Sequence, residues 1–193
     1  MQTKQRIAVA VISALAIFGI SARVAPSRAA VSGQEKPAAA KHPEMDRLQA
    51  LYLGTWDYTE TYAKSPVSPQ GGTGSGLYTS EVGPGGFSIV NHFRSKSSIA
   101  DAEGLLVMTW DPKESAYKCY VFGSEFPASI VETGQFEGDL LVYRAEISAE
   151  GMKFKLRNVT RVVSPGKIVS EEYIAPEGSP EMLLVTVDAT RRK

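Results

Sequence analysis

Ten runs of alternating apolar and polar residues, joined only by short turn sequences, leave this chain few ways to fold. The runs cover residues 55–63, 76–82, 87–96, 104–110, 116–124, 129–136, 140–148, 152–163, 167–175 and 182–190. Between many of them stand turn formers: Pro84-Gly85-Gly86, Asp111-Pro112, Glu137-Gly138-Asp139, Glu150-Gly151, Pro165-Gly166 and Glu177-Gly178. Such short connections force sequence neighbours to pair antiparallel, because a parallel crossover needs a dozen residues or more. Ten consecutive antiparallel strands make a meander. An open meander of that size curls, and closing it removes both edges. The expected fold is all-β: an up-and-down antiparallel barrel of about ten strands, in preference to a two-sheet sandwich.

The alternation assigns faces. Met152, Phe154 and Leu156 alternate with Lys153, Lys155 and Arg157, so one side is core and the other solvent. Trp56, Tyr58, Glu60 and Tyr62 share one face of the first strand, opposite Asp57, Thr59 and Thr61. The runs at 104–110 and 116–124 are apolar on both faces, which predicts a covered outer surface and makes a homodimer conceivable. One helix is expected, over 44–53, where Met45, Leu48, Leu51 and Tyr52 recur at helical spacing before Gly54. It should plug one end of the barrel.

The N-terminus has a different character. Lys4 and Arg6 precede an apolar stretch at 7–20, too short to span a bilayer core comfortably, and Ser27-Arg28-Ala29 offers a cleavage site. Residues 1–29 therefore read as a signal peptide, with a cut after Ala22 as the alternative, and 30–43 as a flexible linker leading to a barrel domain at 44–193. This predicts a secreted or periplasmic protein with no membrane span once the signal is removed. Four of the 21 basic residues and none of the 21 acidic ones lie in 1–29. The remaining body is mildly acidic and has no basic stripe, which argues against a nucleic-acid partner. One cysteine and two histidines exclude an internal disulfide framework and leave no ligand set for structural zinc. No cofactor or metal is expected.

Other motifs weaken on inspection. The glycine run at 71–76 lacks the Gly-Lys-Ser/Thr ending of a phosphate loop and precedes a strand, so it reads as a mobile loop between the first two strands. Ser75 has no Gly-x-Ser-x-Gly context, and His92 alone makes no catalytic set. Cys119 reads as a small buried apolar group. Glu60, Asn91, Glu132 and Arg144 are polar residues in apolar runs, and Asn158-Val159-Thr160 is a glycosylation sequon.

A short helix, then Gly54-Thr55-Trp56, then a strand meander resembles the start of the calycins, the lipocalins and fatty-acid-binding proteins among them. The longer stretch 48–192 is similar to bacterial domain-of-unknown-function family 1579. The matching features are the Gly-x-Trp start, Gly85-Gly86 ahead of a strand, Asp111-Pro112 followed by Tyr117, Gly134, the Arg157 strand and a basic C-terminus. The resemblance implies a lipocalin-like barrel in which Trp56 crosses the closed end against Arg191 or Arg192. Gly54, Trp56 and Arg191 are structural positions in that pattern, and it supplies no catalytic residue.

Three functional readings follow. The first is a carrier of a small, mostly apolar molecule, its cavity lined by Trp56, Tyr58, Tyr62, Trp110 and Phe154 with Glu60 as polar anchor. Glu60 should then meet a base such as Arg144 or hold a proton. The second is an enzyme using a buried carboxylate such as Glu60, and the third a ligand-free interaction barrel. An enzyme is the less favoured reading.

Overall fold

The computed structural model describes residues 40–65, 68–124, 128–149 and 151–193. The expected signal peptide and most of the linker lie outside these residues. From Lys41 onward the described residues form one α-helix, a 3-10 turn at Pro84–Gly86 and ten strands. The helix α1 is Pro43–Tyr52. The strands are β1 Gly54–Tyr62, β2 Gly72–Val82, β3 Ser88–Ser97, β4 Ala102–Asp111, β5 Ala116–Gly123, β6 Ile130–Glu137, β7 Leu140–Ala149, β8 Met152–Ser164, β9 Lys167–Pro176 and β10 Met182–Arg191. Each strand pairs antiparallel with its sequence neighbours, and β1 pairs with β10, so the sheet is a closed up-and-down barrel. No described helix is long and apolar enough to cross a membrane.

The first strand sets the faces. Trp56, Tyr58, Glu60 and Tyr62 point inward, and Asp57, Thr59 and Thr61 are exposed. In register, Trp56 lies opposite Tyr78, Tyr58 opposite Gly76, Glu60 opposite Gly74 and Tyr62 opposite Gly72. The glycine run is therefore not a loop, as the sequence led us to expect, but most of the first half of β2. Its alternate glycines face inward because the large side chains of β1 occupy the space their own would need. A Cβ on Gly76 would collide with the Tyr58 ring, and one on Gly74 with the Glu60 carboxylate.

One end of the barrel is solid. Helix α1 turns Met45 and Leu48 into it, at 1% and 0% exposure, against Ile89, Met108, Tyr117 and Leu141. His42 caps the helix, its Nδ1 accepting from the Glu44 N–H at 3.3 Å, and stacks on Trp110. Tyr117 donates to the Glu44 carboxylate, and the Arg47 guanidinium lies over the Phe136 ring. After the helix ends at Tyr52, Gly54, with a φ of +108°, turns the chain into β1 through a region other residues rarely adopt.

At the seam, Trp56 is 1% exposed and the Arg191 guanidinium sits 4.6 Å from its ring. Arg191 also donates to the carbonyls of Ala50 and Leu51, at 2.9 and 3.2 Å. No base stands in the last turn of α1 itself, so β10 supplies the positive charge that this helix end favours. Trp56 donates its indole N–H to the Tyr52 carbonyl at 2.9 Å. On the outer face, Arg192 clasps the Asp57 carboxylate with two hydrogen bonds across β1 and β10.

Candidate functional site

Beyond the plug the inward faces change character. Inward residues against α1, such as Ile89, Met108, Tyr117 and Leu141, are essentially inaccessible. Farther along the axis Glu60, Tyr62, Phe93, Leu106, Val121, Glu132, Phe154, Asn158, Glu172 and Val187 also face inward, yet each stays partly accessible. Side chains that point at the axis without being sealed border space that water can enter. The interior is thus sealed at the helix end and partly accessible to water beyond it.

The predicted site residues divide between these zones. Trp56 and Trp110 belong to the plug: Trp56 is covered by Arg191 and Tyr78, and Trp110 is sandwiched by His42 and Tyr117. Tyr58 is buried between the zones, with its ring tilted on Tyr78. Glu60, Tyr62 and Phe154 face inward in the partly accessible zone. Period-2 alternation predicts a shared face but not depth along the axis, so it does not separate the two tryptophans from the residues beyond the plug.

Glu60 does not meet Arg144. That arginine points outward and bonds Glu137 at 2.7 Å. Glu60 instead accepts a hydrogen bond from Tyr62 at 3.0 Å. Burial raises its carboxyl above the usual range, while the bonds from Tyr62 and Ser95 pull it back. Asn91, another singled-out polar residue, donates to Ser80 at 2.8 Å, while its own side-chain oxygen is buried with no hydrogen-bond partner. His92 is exposed on the outer face of β3. Asn158 points into the barrel, which is incompatible with a glycan on that side chain. Cys119 is buried as expected, its thiol pushed up by burial and by the neighbouring Glu132.

The richest polar region is one the sequence only partly signalled. Gly134 of β6 pairs with Tyr143 of β7, Tyr143 with Asn158 of β8, and Asn158 with Glu172 of β9. Glu132 stands one inward position before Gly134, opposite Cys119. Thr160, one inward position after Asn158, accepts from the hydroxyl of Tyr52 at 3.2 Å and shares a 2.7 Å bond with Ser170. Burial, aided by the like charge of Glu172, pushes the Glu132 carboxyl up to about 7. Glu132 was visible as a polar residue in an apolar run, but Glu172 sits beside Glu171, and nothing in the sequence says which of the two points inward. Among the described residues no cluster of histidine, cysteine and carboxylate side chains could hold a metal ion.

The outer wall beside β2–β5 is also apolar in part. Leu77, Leu105 and Phe122 line an open groove of about 750 Å³ with Thr79, His92 and Arg94. This is the doubly apolar stretch seen in the sequence.

No family model matches the chain, and no curated protein does. Among solved structures it is similar to the S-type phycobiliprotein lyase CPES from Guillardia theta. The two are 13% identical at a TM-score of 0.47, over 73% of this chain and 88% of that one. No residue role is transferred from it.

Proposed function

We propose that this chain is a small-molecule-binding barrel of domain-of-unknown-function family 1579 that acts outside the cytoplasm. The supporting observation is the contrast along the axis: a plug with inaccessible side chains, then inward residues that remain accessible. A structural barrel has no reason to keep its interior unfilled, since packing voids cost stability. A pocket for a small molecule is mostly apolar with a few placed polar groups. Phe93, Leu106, Val121, Phe154 and Val187 supply the first, and Glu60, Glu132, Asn158 and Glu172 the second. The signal-like N-terminus supports export. Native mass spectrometry of protein purified from its own host tests both points. A retained small molecule and loss of residues 1–29 are expected, and a ligand-free, unprocessed chain would count against the reading.

A second reading has one specific support. A buried carboxyl held near neutrality beside a cavity is suited to proton transfer, so Glu132 rather than Glu60 is the candidate acid/base of an enzyme. Recovery of a chemically altered ligand after incubation, lost in Glu132→Gln, would favour it.

A further inference from the structure

The strand faces turned toward the axis carry three carboxylates, Glu60, Glu132 and Glu172. Among the described strand residues they carry one base, Arg191. Arg191 is committed to Trp56 and the helix carbonyls at the plugged end. The arginines of the neighbouring strands point outward, where Arg144 meets Glu137, Arg157 meets Glu181 and Arg161 meets Glu171. The inward faces beyond the plug therefore carry more acidic than basic side chains. Such a lining repels an anionic ligand, and water exclusion strengthens its attraction for a cation.

Tyr143 is an independent sign that the space is built for an occupant. The residue is 3% exposed, and its hydroxyl is buried with no hydrogen-bond partner. It lies on the inward face of β7 between Gly134 and Asn158, within the electrostatic reach of Glu132. Buried hydroxyls are nearly always satisfied, and a ligand atom would complete this one.

We propose that the cavity takes a molecule with a cationic nitrogen on an apolar body, its N–H groups donating to Glu132 and Glu172 and a further one to the hydroxyl of Tyr143. The apolar body lies along Phe93, Leu106, Val121 and Val187. This rests on the cavity reading above and names the ligand class for it. An organic cation fits better than a metal ion, for which no described cluster provides ligands. A bound cation favours the ionised form of Glu132, so binding releases a proton and affinity rises with pH through the range where that carboxyl titrates.

The test is calorimetric titration of the full chain with dodecylamine, dodecanol and dodecanoate, each below its self-association concentration. The three share a tail and differ in the charge of the head. At about pH 8 the ammonium should bind at least ~10-fold tighter than the alcohol, a difference of about 1.4 kcal/mol, and the carboxylate weakest. Glu132→Gln should remove most of that preference and leave dodecanol affinity unchanged. Glu146→Gln, at an exposed outward carboxylate of β7, should leave the preference intact. If Glu132→Gln fails to fold, the head-group series on the native chain still decides. Equal binding of all three, or preference for dodecanoate, overturns the charge inference and leaves the cavity reading standing. Binding of none overturns both.

Discussion

Replacing Gly134 by alanine probes the point where the plug meets the polar residues beyond it. A Cβ there would lie 2.5 Å from both Cδ1 and Cε1 of Tyr143 and 3.0 Å from Cγ. Ordinary carbon contacts are ~3.5–4 Å, so the ring must retreat by about 1 Å. It has little room, because Tyr143 belongs to the same buried cluster as Met45, Leu48 and Leu141. Overpacking of this kind costs ~1–3 kcal/mol. Gly134 has no positive φ, so alanine also restricts the unfolded chain, which returns ~0.4–1 kcal/mol. The net expectation is a loss of ~1–2 kcal/mol. At this chain length that lowers Tm by ~2–8 °C, measured by circular dichroism, with an unchanged urea m-value. The three atoms nearest the new methyl all belong to one ring, so the cost should largely vanish in a Tyr143→Leu background, a coupling of ~1 kcal/mol or more. The outward neighbour Gln135→Ala should be neutral. If Gly134→Ala is neutral, or costs the same with and without the tyrosine ring, the glycine is not there to seat Tyr143.

Arg191→Met keeps the aliphatic stem but removes the cation over Trp56 and two bonds to helix carbonyls. A loss of ~1–3 kcal/mol is expected by urea denaturation, and a loss under ~0.5 kcal/mol would mean the seam is held by other contacts. Stability should also depend on pH through Glu132. Its folded carboxyl sits at about 7 against an ordinary 4.5, so between those values the folded state binds the extra proton. Stability from this group is present below 4.5 and is lost as pH rises through about 7, by up to ~3 kcal/mol. Glu132→Gln should match the native chain at about pH 4.5 and exceed it by ~2–3 kcal/mol at about pH 8. Parallel pH profiles of the two proteins would show that Glu132 ionises freely.

All ten strands and the helix were legible, because turn residues and period-2 alternation are local signals. The glycines of β2 were not. Glycine content reads as punctuation, and only the register against Tyr58 and Glu60 shows that these residues make room. The face of Arg144 stays open in the sequence because it stands between Tyr143 and Ala145 in a run where isolated parity is ambiguous. Pairing with β6 and β8 turns it outward. The carboxylate belt was half legible for the same reason: Glu132 and Glu172 come together through register carried across four strands, which no spacing in the chain encodes.

The pairing of β1 with β10 bears on how the protein is made. Every other ladder joins strands adjacent in sequence and forms by local zipping. This one joins Trp56 to Arg191, so the cylinder cannot close until the last strand exists. The rate of folding should depend on that single long-range step, because loop closure precedes its reward. A chain lacking β10 would leave β1 and β9 as bare edges and should self-associate rather than fold. Synthesis from the N-terminus therefore leaves the sheet open until β10 emerges.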